Sequence, residues 1–335
     1  MIPEIPLVNV GRGGAVAVAK AHPEKLVNLL EEAKSVYTAA GISLGDNLSK
    51  SWLEKANNPY AGEMTAIAEM LRRPGAHALN MSYEWACTSG VSHDVIGNQL
   101  LRILDWSLTG LGSNLVVAEQ ETDAGVYYNI TWPGYTGVLT AMAPKRFAAS
   151  INQPPMRTEN HMTYPLDWIT GKFAFFKENR DLPPAHLLRK VFETAKSFNE
   201  AKQMLVETPI CMPVFYTLCG INPGEGCVIE RTENKAMVHD LALRSVGSVR
   251  PSIAVANSWI GLETGGISRG YESDIRRKLM IEVLHQSHED LDWVVYPLVN
   301  ETTRLVTKMN PAEGTMILKG YESQGPVTKT FRLKA

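Results

Sequence analysis

CTSGVSHDVIGNQLLRILDWSLTGLG, residues 87–112, decides how the rest of the chain is read. Its middle, "NQLLRILDW", is an apolar strand interrupted by Arg102 and Asp105. Charges in a buried strand are costly unless they are paired. Two readings stand: an internal Arg102–Asp105 ion pair, or a hairpin that starts at Cys87 and folds back so that both charges flank the sulfur. Cys87 is followed by the small polar run Thr88-Ser89-Gly90. A thiol nucleophile needs a base, a donor for the developing oxyanion and a group that holds the base. His93 lies six residues on, and a Cys–His pair so close requires a tight turn, so a turn histidine is the plainer reading. A Cys87–His93 thiol hydrolase stands as one alternative. Cys211, Cys219 and Cys227 fall within or beside strand segments, where buried inert thiols are the default.

Around this stretch the texture is of short strands. "AHALNMSYEW", "SNLVVAEQ", "GVYYNITW", "TGVLTAMA" and "KRFAASIN" are rich in β-branched and aromatic residues and are separated by Gly, Asn, Asp and Pro. A helical block follows at 185–207, with Ser197 and Glu200 in a capping-box pattern. Strands resume with "PVFYTLCG", "GCVIERTE", "AMVHDLAL" and "PSIAVANSW". "YESDIRRKLMIEVLHQS" then reads as a helix with an apolar stripe of Ile275, Leu279 and Val283. Residues 1–75 read as helical after a short extended start. Pro23 opens one helix that Gly41 ends, and Asn58 caps a second that stops at Pro74-Gly75. "GRGG" at 11–14 has neither the spacing nor the lysine of a phosphate loop and reads as a turn. Strands, then helices, then strands, without regular βαβ alternation, imply an α+β protein of mainly antiparallel sheets with helices layered outside.

Bulk composition narrows the function classes. With 33 basic and 35 acidic side chains the net charge is −2, which offers nucleic acid or an anionic membrane no concentrated positive field. The longest apolar runs fall short of the ~18 residues that a membrane span needs. "MIPEIPLVNVGRGG" has no basic n-region, so no secretory signal is expected, and the expected address is the cytoplasm. The four cysteines include no CxxC pair, so reduced thiols are expected rather than disulfides, and no metal or organic cofactor is expected.

The opening stretch resembles the Cys-Thr-Ser start and the following Arg-x-x-Asp-aromatic strand of the N-terminal nucleophile (Ntn) hydrolases of the acid ceramidase group. N-acylethanolamine acid amidase belongs to that group, and choloylglycine hydrolases and penicillin V acylase are wider relatives. Residues 133–152, 215–236 and 252–277 are similar too, in the expected order. The resemblance implies a four-layer α/β/β/α sandwich of two mainly antiparallel sheets. It also implies a precursor that cuts itself between Ala86 and Cys87, leaving a helical N-terminal segment (1–86) packed on a catalytic domain (87–335). Cys87 is then the nucleophile, and its freed amine is the base, which dispenses with a catalytic histidine. Asp105 orients that amine, Arg102 lies beside the thiolate, and the Asn257 amide helps form the oxyanion hole. Arg269 is the best match to a second arginine, with Arg276 or Arg277 as shifted alternatives. Ser258-Trp259 departs from the Tyr-Asp usual in the group. The proline- and aromatic-rich segment 153–184 reads as ordinary packing or as part of a lid or acyl pocket. The implied substrate is a small-molecule N-acyl amide, cut at a linear C–N bond through a thioester. An acyltransferase of the penicillin-forming type and an unprocessed binding protein of the same fold are the alternatives.

Overall fold

Strands β2 (Trp85–Asp94) and β3 (Gly97–Trp106) form the central hairpin, paired from Trp85↔Trp106 to Asp94↔Gly97. The computed structural model describes residues 2–83, 85–94, 96–156, 179–242, 250–262 and 264–335. Eight strands make the first sheet: β1 (Leu7–Gly11), β4 (Val116–Thr122), β5 (Gly125–Thr131), β6 (Thr140–Ala143), β7 (Phe147–Asn152), β8 (Val214–Gly220), β9 (Gly226–Arg231) and β10 (Ala236–Asp240), in that order. The second sheet runs β11 (Ser252–Val255), β2, β3, β12 (Thr303–Asn310), β13 (Thr315–Glu322) and β14 (Gly325–Pro326), with β15 (Phe331–Lys334) also paired to β13. The β1–β4 pair is parallel, and the other described pairings are antiparallel.

Side-chain alternation along the hairpin explains the layering. Trp85, Cys87, Val91, Leu100 and Leu104 point into the main core, where they meet Ala141, Ala149, Ile151, Tyr216 and Leu218 of the first sheet. Leu101 and Ile103 point the other way, into a second core with Met280 and Leu284 of helix α8 (Ser273–Leu284). Helices α6 (Pro184–Thr194) and α7 (Phe198–Glu207) cover the outer face of the first sheet. The order is therefore helix, sheet, sheet, helix, as expected. The capping pattern at α7 is formed in part: Ser197 Oγ accepts from the Glu200 N–H at 3.2 Å, while Glu200 Oε2 accepts from the Lys196 N–H, one residue before the cap, at 2.8 Å.

Three local expectations need correction. Helix α2 (Pro23–Tyr37) does not run to Gly41. It stops at Thr38, whose Oγ1 accepts from the Gly41 N–H and so caps a further helix, α3 (Ala39–Lys55). Residues 76–83 do not open as a strand. Asp46 Oδ1 accepts from the N–H groups of Gly75, His77 and Ala78, and this long-range cap winds Ala76–Asn80 into a short helix, α5. In α8 the stripe Ile275-Leu279-Val283 is not the buried one: Ile275 is 46 % exposed, while Arg276, Met280 and Leu284 face inward. The buried face carries an arginine, which hydrophobicity alone assigns to solvent.

Helices α1 (Gly14–Ala21) and α4 (Ala61–Leu71) complete the N-terminal segment. This segment is stitched to the rest by a polar cluster. The Arg189 fork of α6 donates to Glu63 Oε1 at 2.6 Å and Oε2 at 3.1 Å, and its guanidinium stacks 4.1 Å from the Tyr60 ring centroid. Buried His186 bridges Asn58 and Thr136 at 3.0 Å each. Burial, together with the Arg189 charge, pushes its pKa down to about 3, so His186 stays neutral.

Candidate active site

Arg102 and Asp105 are three residues apart on a strand, so they leave β3 on opposite faces. That geometry answers the question their spacing raised: each charge finds its own partner. Arg102 turns into the main core, where its Nη2 donates to Cys87 Sγ at 3.2 Å and its Nη1 to the Ile151 carbonyl at 2.7 Å. Its buried Nε has no hydrogen-bond partner among the described residues. Cys87 is fully buried. Burial pushes its thiol up to about 11, while the Arg102 charge and the Asp105 backbone N–H pull the other way.

Asp105 faces the layer beneath α8. Its Oδ1 accepts from Thr303 Oγ1 at 2.7 Å, and its Oδ2 lies 3.4 Å from Asn300 Nδ2 and 3.5 Å from Arg276 Nη1. Burial raises its pKa, against the pull of Arg276. Arg276 is the hub of this face. Its Nη1 donates to the Cys87 carbonyl at 3.0 Å and to Thr88 Oγ1 at 2.7 Å, and its Nη2 to Asn257 Oδ1 at 2.8 Å. Nε is held by the Tyr271 carbonyl at 2.6 Å. Asn257, just past β11, accepts the Cys87 backbone N–H on Oδ1 at 3.1 Å. Its Nδ2 donates to the Gln153 carbonyl at 2.7 Å, and its own N–H is fixed by Ser273 Oγ at 2.9 Å. The Ala86–Cys87 peptide is thus gripped on both sides, with the thiol on one face of the sheet and the carboxylate on the other.

Arg102 reaches the Cys87 sulfur and Asn257 its nitrogen, whereas Asp105 lies on the other face of the sheet and not beside the sulfur. Arg269 Nε donates to the Pro154 carbonyl at 3.0 Å. Arg276, one of the shifted alternatives, contacts the cluster, and Arg277 donates to the Ala254 carbonyl. His93 sits at the far end of β2, ~20 Å along the strand from Cys87, with Nδ1 on Asn98 Oδ1 at 2.8 Å. Cys211, Cys219 and Cys227 are buried and free. Burial pushes Cys227 up to about 12. Most of segment 153–184, residues 157–178, lies outside the described residues. Among the described residues no cluster of His, Cys, Asp and Glu is arranged to hold a metal ion, and no helix is long and apolar enough to cross a membrane.

Asn152 went unnoticed in the sequence. From β7 its Nδ2 donates to the Val255 and Ala256 carbonyls at 3.2 and 3.1 Å, next to Asn257. Its Oδ1 accepts from Ser89 Oγ at 3.0 Å and lies 3.4 Å from Arg102 Nη1. One amide therefore ties the arginine at the thiol to the strand end that holds the peptide nitrogen. Truncating Asn152→Ala leaves these buried groups unpaired and is expected to cost about 1–3 kcal/mol. Denaturant unfolding of the variant checks this. An unchanged midpoint would mean that water or neighbouring side chains replace the amide.

The chain has the Ntn hydrolase fold and is similar in sequence to acid ceramidases. It is 27 % identical to an acid ceramidase of Heterocephalus glaber over an alignment of 235 residues that covers 63 % of this chain and 58 % of that one. It is 28 % identical to a probable acid ceramidase of Caenorhabditis elegans over 242 residues, 65 % of this chain and 56 % of that one. The chain thus spans a little over half the length of the acid ceramidases it matches. The solved structure of a Caenorhabditis elegans N-acylethanolamine-hydrolyzing acid amidase ortholog superposes with a TM-score of 0.54 at 21 % identity, over 74 % of this chain and 100 % of that one. No protein-family model matches the chain.

Proposed function

We propose that this protein is a self-activated cysteine amidase that hydrolyses the C–N bond of N-acyl amides. The observation that carries the reading is the double grip on Cys87: Arg102 on its sulfur at 3.2 Å and Asn257 on its nitrogen at 3.1 Å. A spectator thiol in a strand calls for neither.

Activation follows from that arrangement. The Cys87 thiolate attacks the Ala86 carbonyl carbon, the C–N bond breaks, and the nitrogen takes up a proton as the acyl group moves to sulfur. Water then cleaves the thioester, releasing the carboxylate of residue 86 and regenerating the thiol. The new α-amine has an ordinary pKa of ~7.7–8.0, suited to a general base near neutrality. In the uncut chain that base does not exist, so turnover of substrate waits for the cut.

In turnover the amine takes the thiol proton, sulfur attacks the substrate carbonyl, and the amine returns the proton to the leaving nitrogen. Hydrolysis of the thioester releases the acid. Asp105 and Asn257 hold the amine, and Arg276 keeps both in place. For Asn257 Nδ2 to serve the oxyanion it must release the Gln153 carbonyl.

The test is the intact mass of the denatured wild-type protein beside Cys87→Ala, after incubation at acidic and neutral pH. Two fragments, 1–86 and 87–335, are expected from the wild type alone, followed by release of acid from N-acyl amides. A chain that stays whole at every pH leaves the base unmade and sinks the mechanism.

A further inference from the structure

Gly270 stands beside Ala86, next to the bond that the proposed self-cleavage breaks. The backbone there has φ +69°, a left-handed conformation that glycine adopts without penalty. A methyl group at this position would stand 2.6 Å from Ala86 Cβ, 2.8 Å from Arg276 Nη2 and 3.5 Å from Asn257 Oδ1. The first two distances are well inside carbon contact range. None of these neighbours is a loose chain end. Ala86 is fixed in β2 opposite Asp105. Arg276 is bound through all three of its guanidinium nitrogens. The chain before Gly270 cannot easily retreat, because Ile267 and Met156 exchange two backbone hydrogen bonds of 2.8 Å and Arg269 is tied to the Pro154 carbonyl.

We propose that Gly270 is a steric gauge for the group attached to the reacting carbonyl. In the precursor that group is the α-carbon of residue 86, and the gauge admits no side chain beyond the methyl of Ala86. In the cut enzyme the same seat receives the carbon next to the substrate carbonyl, so straight-chain acyl groups are accepted and those branched at that carbon are refused. The inference rests on the self-cleaving amidase reading and sharpens its substrate class. It also gives Arg269 a part, as a positioning residue that holds the gauge through Pro154.

The experiment follows the cut by denaturing mass spectrometry in wild type, Ala86→Gly, Ala86→Val and Gly270→Ala, with a melting curve for each. Ala86→Val and Gly270→Ala are expected to slow the cut by at least about tenfold, the effect of overpacking a tight seat, while Ala86→Gly cuts at a rate close to wild type. The cut wild-type enzyme is then given a straight-chain N-acyl anilide and its 2-methyl analogue. A preference of at least about tenfold in kcat/KM for the unbranched anilide is expected, and this arm needs no variant to fold. An uncut wild type overturns the parent reading and the gauge with it. A cut wild type that processes Ala86→Val and Gly270→Ala at its own rate, or hydrolyses both anilides equally, overturns the gauge alone.

Discussion

Replacing Arg102 with methionine is expected to slow cleavage before Cys87 by at least about 100-fold, the loss typical of removing one preorganised charged donor from a reacting centre. The variant keeps most of the side chain's length and apolar stem, so packing between the sheets changes little. What goes is the cation 3.2 Å from sulfur, which is the strongest influence favouring the thiolate against burial. Without it the thiol titrates higher still and the reactive fraction at neutral pH falls. Arg102→Lys keeps the charge but not the fork that also holds the Ile151 carbonyl, so it should fall between the two. The readout is the time course of fragment formation, with melting curves confirming that each variant is folded. If Arg102→Met matches the wild type, the arginine serves packing alone.

Arg276→Met is expected to destabilise the fold by about 3–5 kcal/mol, because it leaves a buried carboxylate without its cation. Asp105 is 1 % exposed, and Arg276 is its nearest cation. The loss should depend on pH in a definite direction. The folded pKa of Asp105 is raised by burial above its usual value. Its contribution is therefore most favourable at low pH and is lost as pH rises through the folded pKa. Removing Arg276 raises that pKa further, so the variant should lose more stability than the wild type between acidic and neutral pH. Adding Asp105→Asn should flatten this difference. Urea unfolding across that range measures it. A pH-independent deficit would instead trace the effect to the lost bonds with Cys87, Thr88 and Asn257.

What could be read in the sequence divides along physical lines. Cys87, Arg102 and Asp105 sit within one hairpin, where strand periodicity fixes their relation, so the local stretch already held the thiol–arginine pair. Strand periodicity also assigns Asp105 to the other face, a deduction available from the spacing alone. Asn257 came from a matching segment rather than from periodicity. Arg276 was harder: it occupies the inward face of α8 in line with Met280 and Leu284, a position that any count of apolar residues gives to Ile275 instead. Asn152 left no local signal, since its partners lie 63, 103 and 104 residues away and nothing nearby marks the amide as buried. The helix at 76–80 hid for the same reason, its cap being supplied by Asp46 some 30 residues earlier.

Strand β1 pairs with β4 through Leu7↔Val117, Val8↔Ala118 and Asn9↔Glu119, so the first sheet borrows its edge from the N-terminal segment. A cut before Cys87 turns that loan into an association between two molecules. The precursor refolds as one chain at any dilution, with strand, helices and the Arg189–Glu63 clasp all delivered by covalent linkage. The cut protein must find its missing edge by collision, so its recovery from denaturant becomes second order and fails when dilute. The proposed activation would then work as a ratchet. The protein would gain its base at the moment it gave up the means of rebuilding itself, and its working life would be set by how slowly it unfolds rather than by how favourably it folds.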